Sequence, residues 1–257
     1  LEKILLIAAI LPQFAWAQVS SNVTVSVAGN TEVHVFEDVT NSGDFDISSN
    51  ALFHVRGDIS LSGSSQQSLG GHVIVDKLHQ DNAAGVIVEA GSQVEVYEAL
   101  ELNTGQMTAN APVIIKSVPA WTAYVDDFSS GFNGSYSGNL TMERFIASSG
   151  FHHMGGAVDV SNIASELSEA SLYGSNMGQV IPLPTCSPTA IDGSSPYGNM
   201  FEWHENAPFL FACAQSGWFV RSSGAMVNGR GYSLIKAANT NFELTGSPHL
   251  SPVAYNS

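Results

Sequence analysis

The chain has 257 residues, of which 44% are hydrophobic, so it can bury the core of one large domain or of two ordinary ones. Only 12% of the residues are charged, and 23 acidic residues against 8 Lys and Arg give a formal net charge of −15 at pH 7. Such a charge repels phosphate backbones and anionic lipid surfaces, which argues against a nucleic-acid or membrane-surface partner.

The N-terminal segment has the parts of a secretory signal peptide in the right order. Lys3 precedes an apolar run over residues 4–11, and the small-x-small sequence Ala15-Trp16-Ala17 follows. We expect cleavage after residue 17 and export of the mature chain. The apolar run is shorter than the roughly 20 residues that cross a bilayer, so we expect no transmembrane span. A buried N-terminal strand or helix is the alternative.

A repeat of about twenty residues runs through the first half of the mature chain. Apolar residues two positions apart recur in pairs whose first members are separated by 20, 20, 21 and 19 residues. The pairs are Val33/Val35, Phe53/Val55, Val73/Val75, Val94/Val96 and Val113/Ile115. This alternation places both members of a pair on one face of a β-strand. Units this short cannot bury an apolar face alone, so they must stack.

The repetition in phase predicts a parallel β-solenoid of about five rungs over residues 18–118, with like residues lying above like. Asp38 and Asp58 should then lie on neighbouring rungs, and Gly43 and Gly63 should turn corners. Further inward-facing residues on another strand of each turn are Phe45/Ile47, Val86/Val88 and Met107. An antiparallel β-sandwich is the alternative, because the local alternation also allows it. A sandwich, however, has no reason to keep its strands in phase.

Residues 119–140 change to a composition rich in Gly, Ser and Asn, and we interpret them as a linker or cap that closes the solenoid. The segment is rich in aromatic residues, among them Trp121, Tyr124 and Tyr136. We expect these side chains to cover the open end of the last rung, since a solenoid needs protection against edge pairing. The alternatives are that they stack on sugars, which makes them candidate glycan contacts, or that they only anchor the loop.

Candidate chemistry is sparse, because no motif for a catalytic nucleophile, a zinc site or a phosphate-binding loop occurs in the sequence. Asp126 and Asp127 precede a loop rich in oxygen ligands of the kind that Ca²⁺ prefers. Simple solvation of these acids is the alternative, and we expect no other cofactor. Asp38 and Asp58, if stacked, would bind a cation or serve as catalytic carboxylates, but two solvated turns would look the same.

The second domain is predicted over residues 141–257 as a β-rich, sandwich-like fold with one helix, for which Ser161 is the expected N-cap. The β pattern predicts strands over residues 141–146, 151–158, 200–204, 218–221, 231–236 and 241–244. Cys186 and Cys213 are the two cysteines of the chain. Export would allow them to form a disulfide, and two separate buried thiols are the alternative.

Several short motifs follow one another in the second half of the chain. They are Thr141-Met142-Glu143-Arg144-Phe145-Ile146, Gly150-Phe151-His152, Phe201-Glu202-Trp203, Gly229-Arg230-Gly231-Tyr232 and Phe242-Glu243-Leu244-Thr245-Gly246. With the preceding solenoid, they resemble a group of secreted Bacteroidota surface proteins, in which a V-x-x-E-R-[YF]-I strand is followed by a G-W-[HR]-L-L-S-x-P-V strand and a G-x-G-Y segment. The resemblance implies a secreted or cell-surface module associated with type IX secretion, often without catalytic function.

We therefore expect a secreted or cell-surface structural or adhesion-type module without catalytic activity. Its surface ligand is unidentified, and glycans are among the candidates. A carbohydrate-binding or polysaccharide-degrading β-helix protein is the alternative, since enzymes of that architecture use clustered carboxylates in a cleft. The sequence starts at Leu1 and stops at Ser257 within a Pro- and Ser-containing stretch, so we expect it to be part of a longer chain.

Overall fold

The computed structural model describes residues 19–21, 25–27, 30, 32–36, 38–41, 45–47, 50–126, 133–155, 158–167, 200–203, 218–220, 223–227, 230–236 and 239–249. The predicted signal peptide and the cysteines Cys186 and Cys213 lie outside these residues, so both predictions stay predictions. The chain divides into two compact units, Leu1–Arg144 and Phe145–Ser257. The described part contains no helix with the length and apolar character that crossing a bilayer requires.

The first unit is built from strands that pair in parallel. They are β1 (Val19–Ser21), β2 (Val25–Val27), β3 (Glu32–Val35), β4 (Val39–Asn41), β5 (Phe45–Ile47), β6 (Leu52–Gly63), β7 (Gln67–Leu69), β8 (His72–Asn82), β9 (Val86–Val88), β10 (Gln93–Leu102), β11 (Gln106–Ile115), β12 (Tyr124–Asp126) and β13 (Ser135–Ile146). Together they form a parallel β-solenoid of about four turns, where the repeat predicts about five.

The apolar column expected from the repeat is confirmed by the strand register. Successive members are direct Cα partners in the order Val33, Phe53, Val73, Val94, Val113 and Leu140. From Phe53 onward these side chains are buried, and burying each contributes about 1.5–3 kcal/mol. Parallel pairing in this register excludes the antiparallel sandwich as the fold of this unit.

Two further columns complete the interior of the coil. One contains Val39, Ile59, Leu78, Leu100 and Val125, on β4, β6, β8, β10 and β12. The other contains Gln67, Val86, Met107 and Tyr136, on β7, β9, β11 and β13. Each long strand bends and so contributes to two faces of the coil. The register shifts at the bend, between Val55 and Asp58 in β6 and between Val96 and Ala99 in β10.

The solenoid continues beyond the boundary predicted at residue 118. Strand β12 pairs with β10, and β13 pairs with β11, so parts of the predicted 119–140 linker are strands of the coil. The repeat could not reveal them because the insertions before and after β12 break the twenty-residue period. Residues 127–132 of this segment lie outside the described part of the chain.

Glycine is required where neighbouring turns approach each other at a corner. Gly105 has φ +71°, and a Cβ there would lie 2.1 Å from the carbonyl oxygen of Asn82 in the preceding turn. Gly138 has φ +110°, and its Cβ would lie 2.3 Å from the carbonyl oxygen of Ala109. Any side chain at these positions must strain the backbone and push two turns apart.

One corner also encloses a polar network. The buried amide of Asn82 donates to Gln67 Oε1 at 2.9 Å and to the Ser65 carbonyl at 2.7 Å, and it accepts from the Ala84 N–H at 2.9 Å. The side chain of Gln80 accepts from the Asn82 N–H at 2.6 Å. Because each of these buried groups has a partner, the network fixes the corner at little desolvation cost.

The second unit is β-rich with antiparallel pairing and contains one short helix among its described residues. Its elements are β14 (Gly150–Gly155), β15 (Val158–Asp159), α1 (Ile163–Glu166), β16 (Met200–Trp203), β17 (Trp218–Val220), β18 (Gly231–Lys236) and β19 (Thr240–Pro248). The order β14-β18-β16-β17 forms one sheet, and β15 pairs with β19.

The N-cap of the helix is Asn162, so the prediction of Ser161 is wrong by one residue. Asn162 has extended backbone angles, and its side-chain oxygen accepts from the Ala164 N–H at 3.1 Å. The same oxygen accepts from the Gly224 N–H at 3.3 Å. Asn and Ser are comparable caps, and the additional bond to a distant loop explains why the helix begins after Asn162.

Candidate functional site

Glu95 is the centre of a polar cluster on the outer surface of the coil. It alternates with the core residues Val94 and Val96 on β10, so its side chain points outward, yet it is only 9% exposed. Its carboxylate is hydrogen-bonded to Gln93 at 2.6 Å, to His72 Nε2 at 2.8 Å and to the Tyr97 hydroxyl at 3.2 Å.

The surroundings of Glu95 keep it ionised. Burial alone opposes ionisation, but the hydrogen bond from His72, the charge of Lys116 and the hydrogen bond from Gln93 outweigh it, so the pKa of Glu95 lies below its ordinary value. Lys116 Nζ lies 3.7 Å from the Glu95 carboxylate. The cluster is therefore charged at neutral pH and pairs its charges internally.

Lys116 links Glu95 to a second buried carboxylate, that of Glu143, which lies on the turn after Lys116. Its ammonium lies 2.5 Å from Glu143 Oε1, and the Ser117 N–H donates to Glu143 Oε2 at 3.2 Å. Burial disfavours the charge of Lys116, but the hydrogen bond and the charges of Glu143 and Glu95 outweigh this effect and raise the pKa of Lys116 above its ordinary value. One lysine thus joins side chains from β10 and β13.

A tight hairpin follows Lys116, with Pro119 and Ala120 at its tip and Trp121 directly after them. The Val118 N–H donates to the Trp121 carbonyl at 2.9 Å, the reverse bond measures 3.2 Å, and the hydroxyls of Ser117 and Thr122 lie 2.7 Å apart. The Trp121 side chain is 52% exposed, and its indole N–H donates to the Tyr97 carbonyl at 2.8 Å. The orientation of the indole is therefore fixed although half of its surface faces water.

Tyr124 lies near the same bend of the coil. Its Cα partner is Ala99, two positions after Tyr97 on β10, and its side chain is 53% exposed. The guanidinium of Arg144 donates to the hydroxyl of Thr122 at 3.1 Å. Thr122 directly follows Trp121 in the sequence. We refer to Tyr97, Trp121, Thr122, Tyr124 and Arg144 as the aromatic corner.

Tyr136 does not join the aromatic corner. It is the Cα partner of Met107 and continues a column of the coil interior on β13. Its side chain is half-buried, its hydroxyl donates to the Asn139 carbonyl at 2.9 Å, and burial raises its pKa. The structure therefore brings together two of the three predicted glycan contacts, Trp121 and Tyr124.

The acids Asp38 and Asp58 lie on neighbouring turns, and a hydrogen bond connects them. The Asp58 backbone N–H donates to Asp38 Oδ1 at 3.0 Å. The Asp58 carboxylate lies 3.2 Å from His79 Nε2, and the other ring nitrogen of His79 lies 2.7 Å from Glu101. Asp38 thus accepts from a backbone N–H, and the imidazole of His79 joins the carboxylates of Asp58 and Glu101.

The described residues contain no group of three or more His, Cys, Asp or Glu side chains arranged to hold a metal ion. Asp126 ends strand β12, whereas Asp127 and the loop after it lie outside the described residues, so the calcium site stays a prediction.

Glu202 and Arg230, which belong to two of the sequence motifs, form an ion pair in the second unit. Glu202 is fully buried and is the Cα partner of Tyr232. The buried Tyr232 hydroxyl accepts from the Val227 N–H at 2.6 Å. These motif residues hold β16, β18 and the adjoining loop together, so their geometry indicates a structural role.

Comparison of the chain with protein-family models, with curated proteins and with solved structures found no match. The resemblance to Bacteroidota surface proteins therefore stays a prediction, and the function must be argued from geometry. No motif singles out Glu95, Lys116 or Tyr97, and the motif that contains Glu143 and Arg144 does not reveal their contacts with Lys116 and Thr122. Aligning outward-facing positions by the twenty-residue period would have placed His72 and Glu95 on neighbouring turns.

Proposed function

We propose that the chain is a secreted or cell-surface structural module without catalytic activity, in which the solenoid is a rigid support. The observation that carries this proposal is that outward-facing polar side chains join one turn to the next. Such contacts join residues 20 to 27 positions apart, and they are Asp38 with the backbone N–H of Asp58, His79 with Glu101, Asn103 with Asp81, His72 with Glu95 and Lys116 with Glu143.

These contacts between turns support a structural role for the coil in preference to a role in ligand binding. An exposed ion pair contributes at most about 1 kcal/mol, but a partly buried pair between turns also resists sliding and bending of the turns it joins. The apolar columns inside the coil resist the same motions by close packing. A net charge of −15 keeps such a support soluble and repels copies of itself.

Export of the chain is tested by expressing it with its N-terminal segment in a bacterial host that has a secretory pathway. We expect the protein outside the cytoplasm, with Gln18 as its first residue in N-terminal sequencing and with no free thiol in the denatured protein, since Cys186 and Cys213 would be oxidised together. A cytoplasmic protein that retains residues 1–17 would overturn the secreted assignment.

Absence of catalysis is tested by incubating the mature protein with a panel of neutral and acidic polysaccharides and measuring new reducing ends and unsaturated products. We expect no turnover, because the carboxylates of Asp58 and Glu101 are held by His79. Turnover that is lost in the double variant Asp58→Asn, Glu101→Gln would overturn the proposal and favour a polysaccharide-degrading enzyme.

A further inference from the structure

We propose that the aromatic corner binds a neutral polysaccharide chain, with one sugar ring stacked on the indole of Trp121. The inference goes beyond the supporting role of the coil and is argued from the first unit alone. It assigns a ligand class to a surface that the rigid support presents to solvent.

The first argument is the fixed orientation of Trp121. Trp121 is 52% exposed and so presents a large apolar area to the solvent. The hairpin and the bond to the Tyr97 carbonyl nevertheless hold the ring in one place. A ligand that binds a preorganised ring loses less of its binding free energy to side-chain ordering. A pyranose fits this surface because one of its faces is lined by C–H groups.

The second argument is the presence of hydrogen-bonding groups on residues near Trp121 in the chain and on the adjoining turn. The guanidinium of Arg144 has five N–H donors, and its described bond to Thr122 uses one nitrogen. The phenol of Tyr124 is exposed beside the same bend of β10. An apolar platform with a few polar groups at its edge is the usual composition of a site for a polar organic ligand.

The third argument is charge, which selects a neutral sugar chain over an acidic one. Glu98, which follows Tyr97 directly on β10, is exposed. The chain as a whole carries a net charge of −15. Polyuronates and sulfated glycans would be repelled by this field, whereas an uncharged glycan would not.

The fourth argument is the position of the second aromatic side chain. The Tyr97 carbonyl accepts from the indole and Ala99 is the Cα partner of Tyr124, so both aromatic residues lie against residues 97–99 of β10. A ligand that follows this part of β10 would pass both aromatic residues. We therefore infer that the site binds a chain of several sugars in preference to a monosaccharide.

The test is calorimetric titration of the full mature chain with neutral hexasaccharides of the β-1,4-glucan, β-1,3-glucan, xylan and mannan types. An oligouronate of the same length and a monosaccharide are included. We expect at least one neutral hexasaccharide to bind, and Trp121→Ala to weaken its binding at least tenfold. Tyr124→Ala and Arg144→Gln should weaken it several-fold each.

Phe151→Ala is the matched control, because Phe151 is a similarly exposed aromatic residue, at 53%, in the second unit. It should leave the affinity unchanged, and circular dichroism with thermal melting verifies that all variants fold. The proposal is overturned if no neutral hexasaccharide binds, if folded Trp121→Ala binds as the parent does, or if the oligouronate binds more tightly. Each of these results leaves the supporting role of the coil intact, whereas turnover of a bound glycan would overturn only the absence of catalysis.

Discussion

Glu95 and Glu143 are buried carboxylates that share one ammonium group, that of Lys116. Removing the ammonium leaves two negative charges in a poorly solvated place, so Lys116→Met should lower the free energy of unfolding by about 2–4 kcal/mol. Lys77→Met is the matched control, because Lys77 pairs with Glu98 at 3.9 Å on a more exposed surface. The control should cost less than about 1 kcal/mol. Equal losses in urea unfolding of the two variants would contradict the interpretation of Lys116.

The same cluster predicts an acid limb in the stability of the first unit. The pKa of Glu95 in the folded chain lies below its ordinary value of 4.5, so the ionised carboxylate stabilises the fold above pH 4.5. This contribution is lost as the pH falls through the lowered folded pKa, when the carboxylate bonded to His72 and Gln93 becomes protonated. Melting temperatures of Glu95→Gln and the parent should therefore converge as the pH is lowered from 6 towards 3. A constant difference across that range would show that Glu95 acts through packing alone.

Corners are the elements in which a single residue type decides whether two turns can approach each other. Gly105→Ala combines a left-handed backbone angle with a Cβ only 2.1 Å from the Asn82 carbonyl oxygen, and it should cost about 3 kcal/mol or more. Gly91→Ala is the control, because Gly91 has φ +82° but no atom within 4 Å of the added Cβ. That change should cost only about 1–2 kcal/mol of backbone strain. If both variants melt alike, crowding between turns is not what selects glycine at position 105.

Strands β6, β8 and β10 could be predicted because each contributes an apolar pair at a constant period. Strand β12 could not be predicted from the period, and alternation predicted only residues 141–146 of β13, as a strand of the second domain. The Trp121 hairpin and the segment before β13 add residues that break the period while the register continues. The Trp121 hairpin also supplies Trp121 and Thr122 to the aromatic corner. The sequence predicts Trp121 and Tyr124 as a cover for the last rung, with glycan contact as an alternative, but their neighbours Tyr97 and Arg144 come from turns that only the register aligns.

The two units differ in how far their strand pairing can be predicted from the sequence. In the solenoid the partner of a residue lies about one period away, so self-similarity predicts pairing as well as strands. In the second unit β14 pairs with β18, and Gly150 is the partner of Lys236. No period connects such distant segments, so alternation predicted the strands there but could not predict their order in the sheet.

A coil stacked from similar turns behaves as a one-dimensional array, in which each turn is stabilised by the turn before it and the turn after it. Central turns have two neighbours, so amides of β8 and β10 should exchange most slowly with solvent, and those of β1 and β3 more quickly. Hydrogen exchange followed by mass spectrometry of the full mature chain measures this gradient. Lys116→Met should speed amide exchange most in β11 and β12, because the lost ammonium joins the later turns. Lys77→Met should leave the exchange rates unchanged. Uniform protection along the coil, or a uniform loss in Lys116→Met, would indicate that the solenoid opens as one cooperative unit.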